Sequence, residues 1–247
     1  MKTFRAEFHI HTVLSACAAV EMIPPLIIQA AESKGIDLIA ITDHNASANV
    51  DAVRKASKDT SISVLSGMEL QTKEEVHTLC IFDDYEQLIA LQELVNSNMP
   101  DFSNDPEHFG EQYIVDETGD FIVSENRLLS TSANITLKDA WEEVTRLGGL
   151  FIPAHINRAA YGIMTVLGFL PQDIQPSALE ISKHLSIDES RKKYPLIRQF
   201  PLLQIGDAHL LQDILGWNIL SMEKPTIDEI KKALNGIDGR SINIVAN

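Results

Sequence analysis

Several things are scarce in this sequence, and each shortage removes a class of protein. Only two cysteines, Cys17 and Cys80, occur in 247 residues, too few for a disulfide framework. Basic residues are outnumbered: 20 Lys and Arg against 35 Asp and Glu leave a formal net charge of −15. Proteins that grip long nucleic acids draw most of their affinity from cations set against phosphates, so this balance disfavours a long nucleic acid as partner. A small phosphorylated substrate remains compatible, because local cations, bound metals among them, override the global field. No uninterrupted apolar run approaches the ~18 residues of a membrane span. The start, Met1-Lys2-Thr3, runs straight into a strand-like segment without an apolar signal core. The expectation is a cytoplasmic protein with no membrane partner; oligomeric state is left open.

What is present is an ordinary globular composition, 45% hydrophobic and 22% charged, with no internal repeat or low-complexity tract. Short runs rich in Ile, Val and Leu alternate with amphipathic stretches. Strands are expected at 3–10, 36–42, 62–70, 76–82, 150–154, 178–182, 202–206, 219–222 and 241–245. Helices are expected at 24–34, 47–58, 85–97, 137–147, 187–200 and 226–235. Pro24 in a first turn, Gly35 as a stop and Thr136 as an N-cap support these bounds. Alternation of this kind implies a mostly parallel sheet, and about eight units favour a closed or distorted barrel. Residues 1–247 read as one domain with an insertion at 97–135. Its segment 97–126 holds eight acidic residues and no Lys or Arg, and Glu117-Thr118-Gly119-Asp120 resembles a hairpin turn.

Six of the eight histidines adjoin strand ends. His9 and His11 close the first strand on one face, since alternate strand residues share a face. Asp43-His44 follows the second strand, Glu69 ends the third, His155 follows the strand at 150–154, and Asp207 and His209 follow that at 202–206. In β/α barrels the loops after the strands converge on one mouth. His77 sits too close behind Glu69 for a helical crossover, so it is expected to start an antiparallel strand and distort the barrel. One such histidine is ordinarily structural; the whole set points to a metal site. His108 and His184 lie outside the pattern, with His184 the better placed to line the pocket.

Phe8-His9-Ile10-His11-Thr12 with Ser15, Ile41-Thr42-Asp43-His44-Asn45, Gly67-Met68-Glu69 with His77, Pro153-Ala154-His155 and Ile205-Gly206-Asp207-Ala208-His209 together resemble the polymerase and histidinol phosphatase (PHP) family. The resemblance spans nearly the whole chain. It implies a distorted (β/α)7 barrel holding two or three divalent transition metals: zinc, manganese or iron. By that resemblance His9, His11, Glu69 and Asp207 bind one metal. Glu69, His77 and His155 bind a second, with Glu69 bridging, and His44 and His209 belong to a third site. Cys17 stands where the family often has another histidine there. As a thiolate it would favour zinc; as a small packing residue it would leave that site weak.

The implied reaction is hydrolysis of phosphate esters by a metal-bridging hydroxide. Asp43, His44 or His209 would assist proton transfer, and Arg158, three residues after His155, would clamp the phosphate, with Lys183 a weaker candidate. Two other readings stay open: an amidohydrolase, which also uses an H-x-H after its first strand, and a metal-binding accessory module without catalysis. The natural substrate stays open as well.

Overall fold

The computed structural model describes residues 1–245. Along the chain run β1 (Lys2–Ile10), α1 (Pro24–Ser33), β2 (Leu38–Ile41), α2 (Val50–Ala56), β3 (Ser63–Gln71), β4 (His77–Phe82), α3 (Tyr85–Asn98), α4 (Pro106–Phe109), β5 (Tyr113–Val115) and β6 (Phe121–Ser124). Then follow α5 (Leu137–Arg146), β7 (Leu150–Pro153), α6 (Ile163–Val166), β8 (Leu179–Ser182), α7 (Ile187–Lys193), β9 (Leu202–Ile205), β10 (Asn218–Met222), α8 (Ile227–Asn235) and β11 (Ser241–Ile244). Among the described residues, no helix is long and apolar enough to cross a membrane.

Seven strands curl into a distorted barrel in the order β1-β2-β3-β4-β7-β8-β9. β1–β2, β2–β3 and β8–β9 pair in parallel, whereas β4 is antiparallel to both β3 and β7. Between β7 and β8 the Ser177 and Ile156 amides donate to the Phe151 and Glu180 carbonyls, each at 2.9 Å. The ring closes where the His11 amide donates to Ala208 O at 3.0 Å and the Ala208 amide to His9 O at 2.9 Å. Every barrel strand except β4 therefore runs the same way. The reversed strand is the one begun by His77, as the short spacing behind Glu69 requires.

Two expectations need correction. β10 and β11 are not barrel units; they extend the sheet antiparallel from β1, because the segment joining β9 to β10 contains only a 3-10 turn at Leu211–Asp213 and no crossover helix. The helix expected over 187–200 breaks at Pro195, which lacks an amide proton: α7 ends at Lys193 and a 3-10 turn covers Pro195–Gln199.

The apolar residues fall into two main clusters. One unites the outer faces of the strands with α1, α2, α3 and α5, through residues such as Ile27, Val53, Leu88 and Val144. The other fills the barrel with Phe8, Leu38, Leu65, Leu79, Ile152 and Ile205, against which α8 packs Ile227 and Ile230. β1 slips register by one residue against β2 between Glu7 and Ile10. Such a bulge re-aims side chains. Ala6 and Phe8 join the inner cluster and Ile10 the outer, while His9 reaches the mouth above Phe8.

The acidic segment 97–126 forms the expected hairpin β5–β6. Its turn is held by Asp116 Oδ1, which accepts from the Thr118 amide at 2.9 Å and the Asp120 amide at 3.0 Å. The Tyr113 amide donates to Val13 O at 2.8 Å, and the Asn49 side chain bonds Tyr113 O at 2.9 Å and the Val115 amide at 3.0 Å. Beyond the hairpin, Asn45 Nδ2 donates to Leu129 O and Thr131 O, both at 2.8 Å. That clamp sets Ser130 on the pocket wall.

Candidate active site

The barrel mouth gathers residues from six strand ends. Glu69 lies at the centre with its carboxylate fully buried. Its Oε1 faces His77 Nδ1 at 2.9 Å, His155 Nε2 at 3.1 Å and His9 Nε2 at 3.2 Å. Its Oε2 faces His44 Nδ1 at 2.9 Å and His11 Nε2 at 3.4 Å. Asp207 Oδ1 stands 3.3 Å from His9 Nε2 and 3.4 Å from both His11 Nε2 and His209 Nδ1. His209 Nε2 lies 3.1 Å from Cys17 Sγ.

Burial pushes the Glu69 carboxyl up, but the imidazoles of His77, His9 and His44 outweigh it and hold the group well below its usual range. Asp207 is likewise held low against burial, by His9 and His11. Burial drives His77 down to about 4, and burial with the charge of His11 drives His209 down to about 4. Both rings are therefore neutral at pH 7, the state in which imidazole ligates.

Glu69 Oε2, Asp207 Oδ1 and His155 Nδ1 are buried yet make no well-formed hydrogen bond. Buried polar atoms are normally satisfied, and two of these are carboxylate oxygens facing imidazole nitrogens. His9, His11 and Glu69 form one group whose donor atoms converge within 4.8 Å; His44, Glu69 and His77 form a second, and His11, His44 and His209 a third. Nitrogen and oxygen donors in such sets suit divalent transition metals, so the clusters can hold metal ions.

Behind these side chains stands a layer that orients them. His11 Nδ1 pairs with Ser15 Oγ at 3.0 Å, and Ser15 Oγ donates to Asp43 Oδ1 at 2.7 Å. Asp43 also accepts from the Thr12 amide at 2.7 Å and Thr12 Oγ1 at 2.8 Å. It is fully buried and does not line the pocket. Asp43 is only one of three candidates for proton transfer, and its oxygens are engaged in holding the His11 loop. His9 Nδ1 pairs with Glu180 Oε2 at 2.9 Å.

Glu180 is the residue that sequence reasoning missed. The available signal was a carboxylate between Leu179 and Ile181 in the buried strand Leu179–Ser182, where charge is tolerated only with a partner. Such partners fix ring orientation and tautomer, and removing them typically weakens metal binding about 10–100-fold. Glu180→Ala is expected to show that loss in a competitive chelator titration; unchanged affinity would remove Glu180 from the site.

The pocket above the cluster has a volume of about 250 Å³, and Cys17, His44, Arg158, Tyr161, Asp207 and His209 are on its wall. Arg158 is ion-paired with Asp207 Oδ2. Cys17 is exposed and turned to the mouth, not packed among its alanine neighbours. Lys183 is instead paired with Asp213, and neither it nor His184 lines the pocket. His108 and His184 are both exposed on the surface.

Residues 7–155 match the PHP domain. The chain belongs to the PHP domain family. Its His and carboxylate clusters are groups that could hold metal ions. It is similar to YqxK of Bacillus subtilis, 26% identical over 98% of this chain and 64% of YqxK. It also resembles the lesion-specific endonuclease PfuEndoQ from Pyrococcus furiosus, with a TM-score of 0.76 and 22% identity over 98% of this chain and 58% of that one. An amidohydrolase from Chromobacterium violaceum shares the fold at a TM-score of 0.58 and 17% identity, over 98% of this chain and 99% of that one. This PHP chain thus spans less than two thirds of the length of YqxK and of the endonuclease.

Proposed function

We propose that this PHP domain hydrolyses phosphate esters, with a small phosphorylated compound as substrate. The observation that carries the reading is Glu69: one buried carboxylate set among five imidazoles and shared by two of the donor groups. In this reading His9, His11, Glu69 and Asp207 hold one divalent ion, Glu69, His77 and His155 a second, and Cys17, His44 and His209 a third. Zinc, manganese and iron all suit such donors. Bound ions would supply water activation and neutralisation of phosphoryl oxygens at neutral pH.

The chain's own residues do the rest. Phosphoryl transfer depends on positioning and charge more than on covalent help. Arg158, at the rim and already beside Asp207, offers its guanidinium to the non-bridging oxygens. Glu180 and the Ser15–Asp43 relay keep the His9 and His11 rings in place. With the third site empty, His44 and His209, which line the pocket, would be the groups positioned to move a proton at the leaving oxygen. The small pocket and the net charge of −15 support a small substrate over a polymer.

Metal-reconstituted protein is expected to hydrolyse an aryl phosphate and to leave the matching aryl amide intact. No bound metal by elemental analysis, with activity unchanged in chelator, would overturn the reading. Hydrolysis of the amide alone would favour an amidohydrolase. The resemblance to a lesion-specific endonuclease over 98% of the chain favours phosphodiester cleavage as a second reading, which an assay on a lesion-bearing duplex tests. For the third site, Cys17→Ser is expected to lower the zinc stoichiometry while the Glu69-centred pair stays loaded. An unchanged zinc content would remove Cys17 from the ligands.

A further inference from the structure

The loop that follows β7 carries His155, Arg158 and Tyr161 in one short excursion, and all three line the same pocket. The ligand reading uses His155, and the phosphate clamp uses Arg158. Tyr161 is unused by either. Its φ is +60°, a left-handed conformation that is an outlier for a bulky side chain. Strain of this kind persists only where the surroundings over-determine it, and it concentrates at functional sites. Here the Tyr161 carbonyl accepts from the His77 amide at 3.1 Å. The next residue, Gly162, turns so tightly that a Cβ would lie 2.6 Å from Arg158 O and 2.9 Å from His155 O.

The result is an aromatic ring laid parallel on the His77 imidazole, with centroids 4.3 Å apart and planes 7° apart. Tyr161 nevertheless keeps 39% of its surface exposed. A ring meant for the core would be covered on both faces. This one is partly exposed and lines the pocket beside Arg158.

We propose that Tyr161 is a specificity platform: the ring face turned away from His77 stacks a planar ring on the leaving-group side of the substrate, so the preferred phosphate esters carry a flat aromatic or heteroaromatic group. This rests on the phosphoesterase reading for the phosphate end. Stacking of a base on an aromatic side chain is sequence-tolerant and strong enough to shift affinity by about tenfold or more.

The test uses adenosine 5′-monophosphate and ribose 5-phosphate, which present the same phosphate on the same sugar and differ by the base alone. Calorimetric titration of the metal-loaded protein is expected to show at least about tenfold tighter binding of the nucleotide. Tyr161→Phe should keep that preference. Tyr161→Asn deletes the ring in a residue that tolerates the left-handed backbone, and should bring the ratio close to one. Equal binding of the two ligands by the unmodified protein would overturn the inference, as would a Tyr161→Asn variant that keeps the full preference. If Tyr161→Asn weakens both ligands equally, the ring merely supports His77, and the inference also falls. Hydrolysis is followed in parallel: a nucleotide preference in binding without any turnover would sink the phosphoesterase reading and leave the platform standing.

Discussion

Glu69→Gln is expected to lower turnover of an aryl phosphate by about 10³-fold or more, a loss on the scale of several kcal/mol that metal centres supply. The substitution is nearly isosteric, so the packing around this fully buried side chain is retained. What changes is chemistry. The amide has one acceptor oxygen, whereas both carboxylate oxygens of Glu69 face imidazoles. It also turns an N–H donor towards the place where a cation would be held. Elemental analysis should show metal lost together with activity, and circular dichroism an unchanged fold.

A pH-dependent signature should accompany this in chelator-treated protein. Burial lowers His11 and His44, yet Asp207 and Glu69 raise His11 and Glu69 raises His44, leaving each ring at about 9 against an ordinary 6.5. Stability from these charged rings is fully present below pH 6.5 and is lost as pH rises through about 9. Melting temperature should therefore fall over that window, and less steeply in Glu69→Gln, which lacks the charge that sustains both shifts. Wild-type turnover in the variant would remove Glu69 from the centre of the site.

Much of the candidate site is legible in the sequence, because residues of metal-binding type at strand ends leave a local pattern. His9 and His11 two apart, Asp207 and His209 two apart, and Glu69 with His77 close behind can each be read within a few residues. The antiparallel β4 is legible for the same reason: the chain between Glu69 and His77 has no room for a crossover. Partners distant in sequence leave no such trace. Glu180 meets His9 across 171 positions, and only its charge within a buried strand marks it. Asp43 shows the converse: its neighbour His44 lines the pocket, but its own oxygens are taken by Thr12 and Ser15, which sequence adjacency conceals. β10 and β11 have the periodicity of barrel strands, and their hydrophobic patterns do not reveal that they add to the outer edge of β1. The barrel count is decided by how the chain between β9 and β10 returns, and that return is set by side chains reaching in from elsewhere.

Those side chains make Gly206→Ala the second large effect. Residues 206–216 form a tight loop after β9 that carries Asp207 and His209. Glu7, fully buried, accepts from the Leu215 and Gly216 amides at 3.0 Å each and from the Gly206 amide at 3.3 Å. From the other side Lys34 Nζ donates to Leu211 O and Ile214 O at 2.8 Å and to Gln212 O at 3.1 Å. The loop is closed so far that a Cβ on Gly206 would overlap the Asp213 carbonyl oxygen, which is backbone and cannot rotate aside. Relief requires breaking the Glu7 or Lys34 contacts, or moving Asp207, whose φ of +49° leaves little freedom. Overpacking of this kind costs about 3 kcal/mol, which lowers the melting temperature of a chain this size by roughly 6–12 °C. Because Asp207 and His209 ride on the displaced segment, turnover should fall with stability, and metal binding should weaken even in the fraction that stays folded at low temperature. Leu210→Ala is the matched comparison: it lies in the same loop with its side chain partly exposed, and should shift stability by no more than about 0.5 kcal/mol. If Gly206→Ala melts and turns over like Leu210→Ala, the loop is not pinned by Glu7 and Lys34, and the position of Asp207 must be set by the metals themselves.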